Sequence, residues 1–331
     1  MPMITLGIES SCDDTGLAII NSNGKVIDHI TSSQHEIHAQ YGGIVPELAS
    51  RDHVKKFIPL LDILLKRNYL TITDISLIAF TNGPGLLGPL LVGASLSKSL
   101  GWSNNIPTIE VNHLEAHIYS PMMTEENLRP PFISLLVSGG HTILSSVDKN
   151  FNIQTLGTTL DDSAGECFDK IARKLGLSYP GGPQISKRAE NSFDNKFIFP
   201  RPMIKSNNYN FSFSGLKTHV INIVNQVALT NENINNISSE LQNSIVETLI
   251  NKTKKASDDL GINNIVITGG VSANQKLRDE FSLLKQCKAY FPDVKFSTDN
   301  GAMIAYAGFL KSKTHILKEN YKIKPDPSLT L

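Results

Sequence analysis

His113-Leu114-Glu115-Ala116-His117 sets two imidazoles four residues apart, which on a helix places them on one face, one turn from each other. That spacing suits one divalent metal ion. A zincin-type protease writes H-E-x-x-H, with the glutamate directly after the first histidine as general base. Here Glu115 comes two positions on, about 200° round a helix of about 100° per residue, and points away from any ion held by the pair. The pattern therefore offers a metal site without the protease's base. An isolated H-x-x-x-H also occurs in chains that bind no metal, so a site here needs further ligands. Asp299 is the best candidate, lying just past a short strand and ahead of a helix. Two histidines and one carboxylate leave coordination positions open for substrate oxygens, and suit iron or zinc.

Other groups in the chain carry weaker chemical signals. Asp13 and Asp14 sit at a polar hairpin tip among Ser10, Ser11 and Thr15, where they can orient a metal-bound phosphate or act as base, or simply solvate a turn. Cys12 reads as a small packed side chain. Ser138-Gly139-Gly140 presents backbone N–H groups without Cβ obstruction, as does Gly181-Gly182-Pro183. Gly269-Gly270 follows a buried strand, and Ser272-Ala273-Asn274-Gln275 fits a capping box opening the next helix, a junction at which a nucleotide can approach backbone. None of these three glycine sites is a Walker A or a G-x-G-x-x-G pattern, so a nucleotide would be held there in another way. Asp161, Asp162 and Glu166 run into a helix and favour its N-terminal dipole. Asp169, one turn beyond Glu166, is placed to bind a ribose hydroxyl.

The elements that position these residues repeat an order. Ile4–Ile8, a polar turn, Leu17–Ile20 and, past the Asn23-Gly24 turn, Lys25–Ile30 read as three strands. Helices are expected at Pro46–Ala49 and His53–Lys66, a buried strand at Ser76–Thr81, a helix at Leu90–Leu100 after the Gly83–Pro89 turn, and a strand at Ile109–Val111. Phe132–Val137, Ile143–Val147 and Ile153–Gly157 restart the theme. Helices near Glu166–Leu175, Pro183–Glu190 and Ser238–Leu260, a strand at Ile265–Thr268, a short strand at Lys295–Ser297 and a helix at Ala302–Leu310 follow. The segment from Lys205 to Asn236, rich in Asn and Ser, is expected to be partly loop. Two such halves make a duplicated α/β fold with a ligand cleft between two lobes. The expected division is a first lobe over 1–112, open to completion by the C-terminal helix, a second over 113–310, and a basic, mobile tail over 311–331.

Bulk composition narrows the function class. The 331 residues are 40% hydrophobic and 7% aromatic, ordinary for a globular protein with a real core. Lys+Arg and Asp+Glu both number 31, which argues against a large basic surface binding nucleic acid unaided, but not against a nucleic-acid substrate presented with partners. Cys12, Cys167 and Cys287 are odd in number and form no C-x-x-C, as expected in a reducing compartment. With neither a signal-peptide pattern nor a long apolar run, the expectation is a cytoplasmic protein with no membrane partner.

Taken together, the motifs resemble one family over nearly the whole chain. GIESSCDDTG (Gly7–Gly16), YGGIVPELASRDH (Tyr41–His53), GPGLLGPLLVG (Gly83–Gly93), NHLEAH (Asn112–His117), LLVSGGHT (Leu135–Thr142), AGECFDK (Ala164–Lys170), YPGGP (Tyr179–Pro183), FSFSGLKT (Phe211–Thr218), GGVSANQKLR (Gly269–Arg278) and TDNGAMIAYAG (Thr298–Gly308) occur in its order. The chain looks like the tRNA N6-adenosine threonylcarbamoyltransferases, once called O-sialoglycoprotein endopeptidases or glycoproteases. The resemblance implies an actin-like, sugar-kinase-like duplicated α/β fold. It implies transfer of threonylcarbamoyl from threonylcarbamoyl-adenylate to the exocyclic amine of the adenosine beside the anticodon, in tRNAs reading codons that begin with A. It implies one metal per subunit, Fe(II), on His113, His117 and Asp299, with zinc the alternative from ligand chemistry. Leu136, Val137, Ser138, Gly139, Gly140, Asp169, Gly182 and Asn274 match substrate-binding positions, and Asp13 and Asp14 match an acidic pair implicated in catalysis. By resemblance the partners are tRNA, a fold-related non-catalytic subunit, a small P-loop ATPase and a separate adenylate synthase.

The chain also departs from the pattern. Asp14 stands where many members have Glu, Asn112 where some have a further His, and Ala116 where Gly is usual. Ser186 stands where some relatives carry an acidic substrate contact. The rival readings are a metalloprotease, an actin-like ATPase or kinase, and a non-catalytic subunit of the same fold.

Overall fold

The structure is a computed structural model that describes residues 3–41, 43–192, 196–314 and 322–331. The chain divides into two compact units, Met1–Glu126 with Thr298–Leu331, and Asn127–Ser297. The first contains β1 (Thr5–Glu9), β2 (Asp14–Ile20), β3 (Val26–Ser33), α1 (His35–Ala39), α2 (Pro46–Arg67), β4 (Leu77–Gly83), α3 (Leu87–Asn104), β5 (Thr108–Asn112) and α4 (His113–Tyr119). The second contains β6 (Phe132–Val137), β7 (Thr142–Val147), β8 (Ile153–Thr158), α5 (Ala164–Lys174), α6 (Gly181–Ala189), α7 (Ser214–Val224), α8 (Asn231–Leu260), β9 (Asn264–Thr268), α9 (Gln275–Ser282) and β10 (Lys288–Tyr290). The chain then returns to the first unit as α10 (Gly301–Ser312).

The two sheets are built to one plan. Their strand orders are β3-β2-β1-β4-β5 and β8-β7-β6-β9-β10. In each, the first three strands pair antiparallel and the fourth and fifth add in parallel. The duplication read from element order is thus a duplication of topology.

Strand periodicity decides what each face of the first sheet carries. Leu6, Ile8, Leu17, Ile19, Ile78 and Phe80 pack with Phe57, Leu61 and Leu64 of α2 and Ala94 of α3. The alternate residues face α10. A Cβ on Gly7 would lie 2.1 Å from the Gly301 carbonyl and 2.5 Å from the Ala305 nitrogen, and one on Gly16 would lie 2.7 Å from the Gly301 nitrogen. Only glycine lets α10 sit this close to β1 and β2, and that closeness carries Asp299 to the histidine helix. The second unit has its own core, from Ile133, Leu135 and Leu144 through Phe168, Phe211 and Phe213 to Leu241, Ile265 and Phe281.

Several local readings change. The two helices expected at 46–49 and 53–66 are one, Pro46–Arg67: the polar Ser50-Arg51-Asp52 step continues it, the Ser50 hydroxyl donating to the Pro46 carbonyl (2.8 Å) and exposed Arg51 pairing with Glu47 one turn back. The fifth strand of the second sheet is Lys288–Tyr290, and where a strand was expected over Lys295–Ser297 the chain forms a 3-10 turn, Val294–Phe296, capped by Ser297. Asn274, not Ser272, caps α9: a 3-10 turn over Gly270–Ala273 intervenes, and the Asn274 side chain accepts from the Leu277 N–H. The Lys205–Asn236 segment is partly loop, as expected, on either side of α7, but α8 begins at Asn231, ahead of the expected Ser238. The helix of the histidine pair falls with the first unit rather than the second, packed against α10.

Of the tail, Lys318 and Glu319 lie outside the described residues. Residues 322–331 are tied down rather than loose. The Asp326 N–H donates to the Asn82 carbonyl (2.8 Å), the Gly85 N–H to the Pro327 carbonyl (3.2 Å), and the Asn112 side chain to the Thr330 carbonyl (2.8 Å). Among the described residues, no helix is long and apolar enough to cross a membrane.

Candidate metal centre and substrate-binding loops

In the first unit, β5 ends at Asn112, whose side-chain oxygen accepts from the Leu114 and Glu115 N–H groups and starts α4 directly at His113. His113 and His117 therefore stand one turn apart, with ring centroids 4.7 Å apart and planes perpendicular. Asp299 precedes the N-cap of α10, Asn300, whose side chain accepts from the Met303 N–H. Asp299 Oδ1 lies 3.0 Å from His117 Nε2 and 3.5 Å from His113 Nε2. The three ligand atoms lie within 4.8 Å of one another, an arrangement that fits a single metal ion. Two imidazole nitrogens and a carboxylate oxygen are a donor set used for zinc and non-haem iron.

Glu9, which the sequence reading passed over, completes the centre. It ends β1 on the face turned to α10 and is fully buried. Its carboxylate accepts from the Ser11 N–H (2.5 Å), the Thr81 hydroxyl (2.6 Å) and His113 Nδ1 (3.1 Å). A carboxylate on Nδ1 fixes the tautomer that leaves His113 Nε2 free to ligate. His117 Nδ1 has no such partner among the described residues. The only sequence signal for Glu9 was a charged residue closing an otherwise apolar strand.

The electrostatics follow from burial and close charges. Burial alone lowers the pKa of His113, but the Glu9 and Asp299 carboxylates outweigh it and hold it up at about 9. Burial raises Glu9 and Asp299, yet His113 pulls both below their ordinary values, with a His117 hydrogen bond helping for Asp299. Asp13 and Asp14 go the other way. Burial, then the charge of Asp299, raises both, Asp14 to about 7. Asp14 is the first residue of β2, on the α10 face with Gly16, and not at the tip of a turn. Burial and nearby carboxylates push the Cys12 thiol far up, consistent with a packed, unreactive side chain. Glu115 faces Lys311 of α10 at 4.0 Å.

The remaining candidates lie in the second unit. Leu136 and Val137 end β6, and Ser138, Gly139 and Gly140 form the turn to β7, pinned by Ser138 N–H to the His141 carbonyl (2.8 Å). The N-terminus of α5 locks this turn. Ser163, its N-cap, donates to the Gly139 carbonyl (2.6 Å), and the Gly165 N–H donates to the Ser138 carbonyl (3.2 Å). A Cβ on Gly139 or Gly140 would meet nothing within 4 Å, so both present open backbone. Asp169, one turn beyond Gly165, accepts from the Gly181 N–H at 2.7 Å and so joins α5 to the start of α6, where Gly182 lies. One turn on, Ser186 accepts from the Asn274 side chain (2.8 Å) and itself donates to Gln242 (2.9 Å). Helices α5 and α6 thus gather the Ser138 turn, Asp169, Gly182 and Asn274. Asp161 and Asp162 play other parts than the α5 dipole. Asp161 accepts from the N–H groups of Phe213 (2.8 Å) and Ser214 (3.1 Å) at the start of α7, and Asp162 pairs with Lys170 and Lys217.

Comparison with known proteins agrees with this architecture. A family model described as tRNA N6-adenosine threonylcarbamoyltransferase matches residues 25–306. A protein of that name from Methylobacillus flagellatus is 45% identical over 330 residues, covering 98% of this chain and 97% of its own. One from Thermosipho africanus is 46% identical over 321 residues, covering 96% and 97%. Among solved structures, the activator of 2-hydroxyisocaproyl-CoA dehydratase from Clostridium difficile aligns over 94% of this chain and 96% of its own, with a TM-score of 0.56 at 15% identity. That likeness concerns the fold alone, which is the duplicated actin-like α/β fold.

Proposed function

Because the chain belongs to the tRNA N6-adenosine threonylcarbamoyltransferase family, and is thereby a transferase, we propose that its acyl donor is threonylcarbamoyl-adenylate. The acceptor is the exocyclic amine of the adenosine beside the anticodon, in tRNAs reading codons that begin with A. The reaction depends on one divalent metal, iron(II) by resemblance or zinc, held by His113, His117 and Asp299. The observation that carries this reading is the compact two-histidine, one-carboxylate cluster whose neighbouring Glu115 is turned to Lys311. The same orientation deprives a metalloprotease reading of its base.

The chemistry asks little of a hydrolytic base and much of positioning. The adenine amine is a poor nucleophile because its lone pair is conjugated with the ring. Its nitrogen must attack the carbamoyl carbon while the bond to the AMP oxygen breaks, the electron pair leaves with AMP, and the N–H proton goes to a base. A bound divalent metal supplies Lewis acidity toward donor oxygens. Glu9 holds His113 in its ligating tautomer. Asp13 or Asp14 is the group that accepts the proton. In the second unit, the open N–H groups of Ser138-Gly139-Gly140 suit a phosphate or carboxylate, and Leu136, Val137, Asp169, Gly182 and Asn274 are assigned with them to the donor.

Equal numbers of acidic and basic residues favour tRNA binding with help. The fold-related non-catalytic subunit, the small P-loop ATPase and a cytoplasmic location belong to the same proposal.

The test compares wild type with His113→Ala and Asp299→Ala for bound metal, and for transfer of labelled threonylcarbamoyl to unmodified tRNA with the partner proteins present. Wild type should bind metal and modify tRNA, and both variants should lose metal. A wild-type protein that holds no metal and modifies no tRNA would overturn the reading, and intact metal in both variants would overturn the ligand assignment.

A further inference from the structure

His53 is a buried titratable side chain that belongs neither to the metal cluster nor to the acidic pair. It lies on α2, against the face of the first sheet opposite α10, and its ring stacks on Phe57 at 5.6 Å. Both ring nitrogens are engaged by one short stretch of chain. Nε2 lies 3.0 Å from the Cys12 carbonyl, and Nδ1 lies 2.7 Å from the Thr15 hydroxyl. A carbonyl only accepts, so Nε2 carries the proton, and Nδ1 accepts from Thr15. Burial favours this neutral form. The two residues so held flank Asp13 and Asp14.

Strand geometry gives this contact a consequence. Thr15 shares a face with Leu17 and Ile19, toward α2, so its neighbour Asp14 points the other way, with Gly16, toward α10 and Asp299. Slipping the start of β2 by one residue would exchange the faces and turn Asp14 away from the metal cluster. The ladder itself is thin here: β1–β2 pairing ends at Glu9 and Gly16, leaving Asp14 and Thr15 paired only to β3. A second support reaches the turn from the same side. The Gln34 N–H donates to the Asp13 carbonyl (3.1 Å), and the Gln34 side chain bonds the Ala49 carbonyl and His38.

We propose that His53 is a positioning residue that holds the Asp13–Asp14 turn to the metal face of the first sheet by bonding Cys12 and Thr15 from the opposite face. This rests on the reading above that the acidic pair serves the transfer.

The experiment measures kcat and KM for the adenylate in the reconstituted complex, with metal content, for His53→Ala, Thr15→Val and Thr15→Ser. Asp13→Asn and Asp14→Asn are measured alongside. His53→Ala and Thr15→Val should lower kcat by about 10- to 100-fold through misplacement, with KM changed by less than about threefold and one metal retained. Thr15→Ser keeps the hydroxyl and should recover to within about threefold of wild type. Thr15→Val preserves shape, so it remains informative if His53→Ala fails to fold. Wild-type kcat in Thr15→Val, or metal lost in step with rate, would overturn the proposal. Wild-type kcat in both acid variants would instead overturn the role of the acidic pair.

Discussion

Glu9→Gln should weaken metal binding without unfolding the protein, and the hydrogen bonds around Glu9 set the size of the effect. The carboxylate accepts from three donors, the Ser11 N–H, the Thr81 hydroxyl and His113 Nδ1. An amide of the same shape has one accepting oxygen and one donating nitrogen, so it cannot satisfy all three. The Thr81 hydroxyl can turn and also lies 3.4 Å from the Ile8 carbonyl. If the amide oxygen stays on Ser11, the amide nitrogen faces His113 Nδ1 and favours the tautomer that protonates Nε2, the atom nearest Asp299. Losing a carboxylate partner behind a ligating histidine costs about 10- to 100-fold in metal affinity, or about 1.4–2.7 kcal/mol. Glu9→Ala should be worse, leaving buried donors unpaired at about 1–3 kcal/mol each. A chelator-competition titration with Zn(II) reads the affinity directly. Glu9→Gln binding within about twofold of wild type would refute the reasoning, because the carboxylate would then be contributing nothing to the ligand it touches.

Three further outcomes follow from named contacts. Asp14 has a folded pKa near 7 against an ordinary 3.8, so its stabilising protonated form is complete below about pH 4 and is lost as pH rises through 7. Between pH 5.5 and 8, metal-free wild type should lose about 2 kcal/mol more than Asp14→Asn in urea unfolding, and equal pH slopes would contradict this. Gly7→Ala places a Cβ 2.1 Å from helix backbone and should destabilise by about 3 kcal/mol or more while lowering metal content, read by thermal melts and metal analysis. Glu115→Gln should leave metal content and transfer rate within about twofold of wild type, and a tenfold fall in rate would return Glu115 to the chemistry.

The parts of this centre that are local in sequence were legible there. The spacing of His113 and His117 needed only helix periodicity, and Asp299 its place just ahead of a helix, although the strand expected before it is a 3-10 turn. Glu9 and His53 were not, because their roles exist only through partners far along the chain: Glu9 with Thr81 and His113, His53 with Cys12 and Thr15. The duplicated order of strands and helices could be read from apolar runs, but the three-residue edge strand Lys288–Tyr290 could not, since only its pairing to β9 makes it a strand. The capping of α9 was misplaced because Ser272 and Asn274 are both good N-caps. Gly269, at φ 87°, leads into a 3-10 turn that takes up Ser272 and leaves Asn274 to begin the helix. The anchoring of residues 322–331 was equally hidden, since it rests on backbone groups of Asn82 and Gly85 and on the Asn112 side chain, all far along the chain from the segment they hold.

Titration decides whether transfer runs on one metal held by His113, His117 and Asp299. Protein stripped of metal and placed in the reconstituted complex is given preformed labelled adenylate and unmodified tRNA, and single-turnover transfer is followed as Fe(II) or Zn(II) is added. The rate should rise from near zero and break at one equivalent per chain, with Asp299→Ala flat throughout. Full transfer by the stripped protein, or the same titration curve in Asp299→Ala, would rule out a metal held by this triad as the agent of transfer.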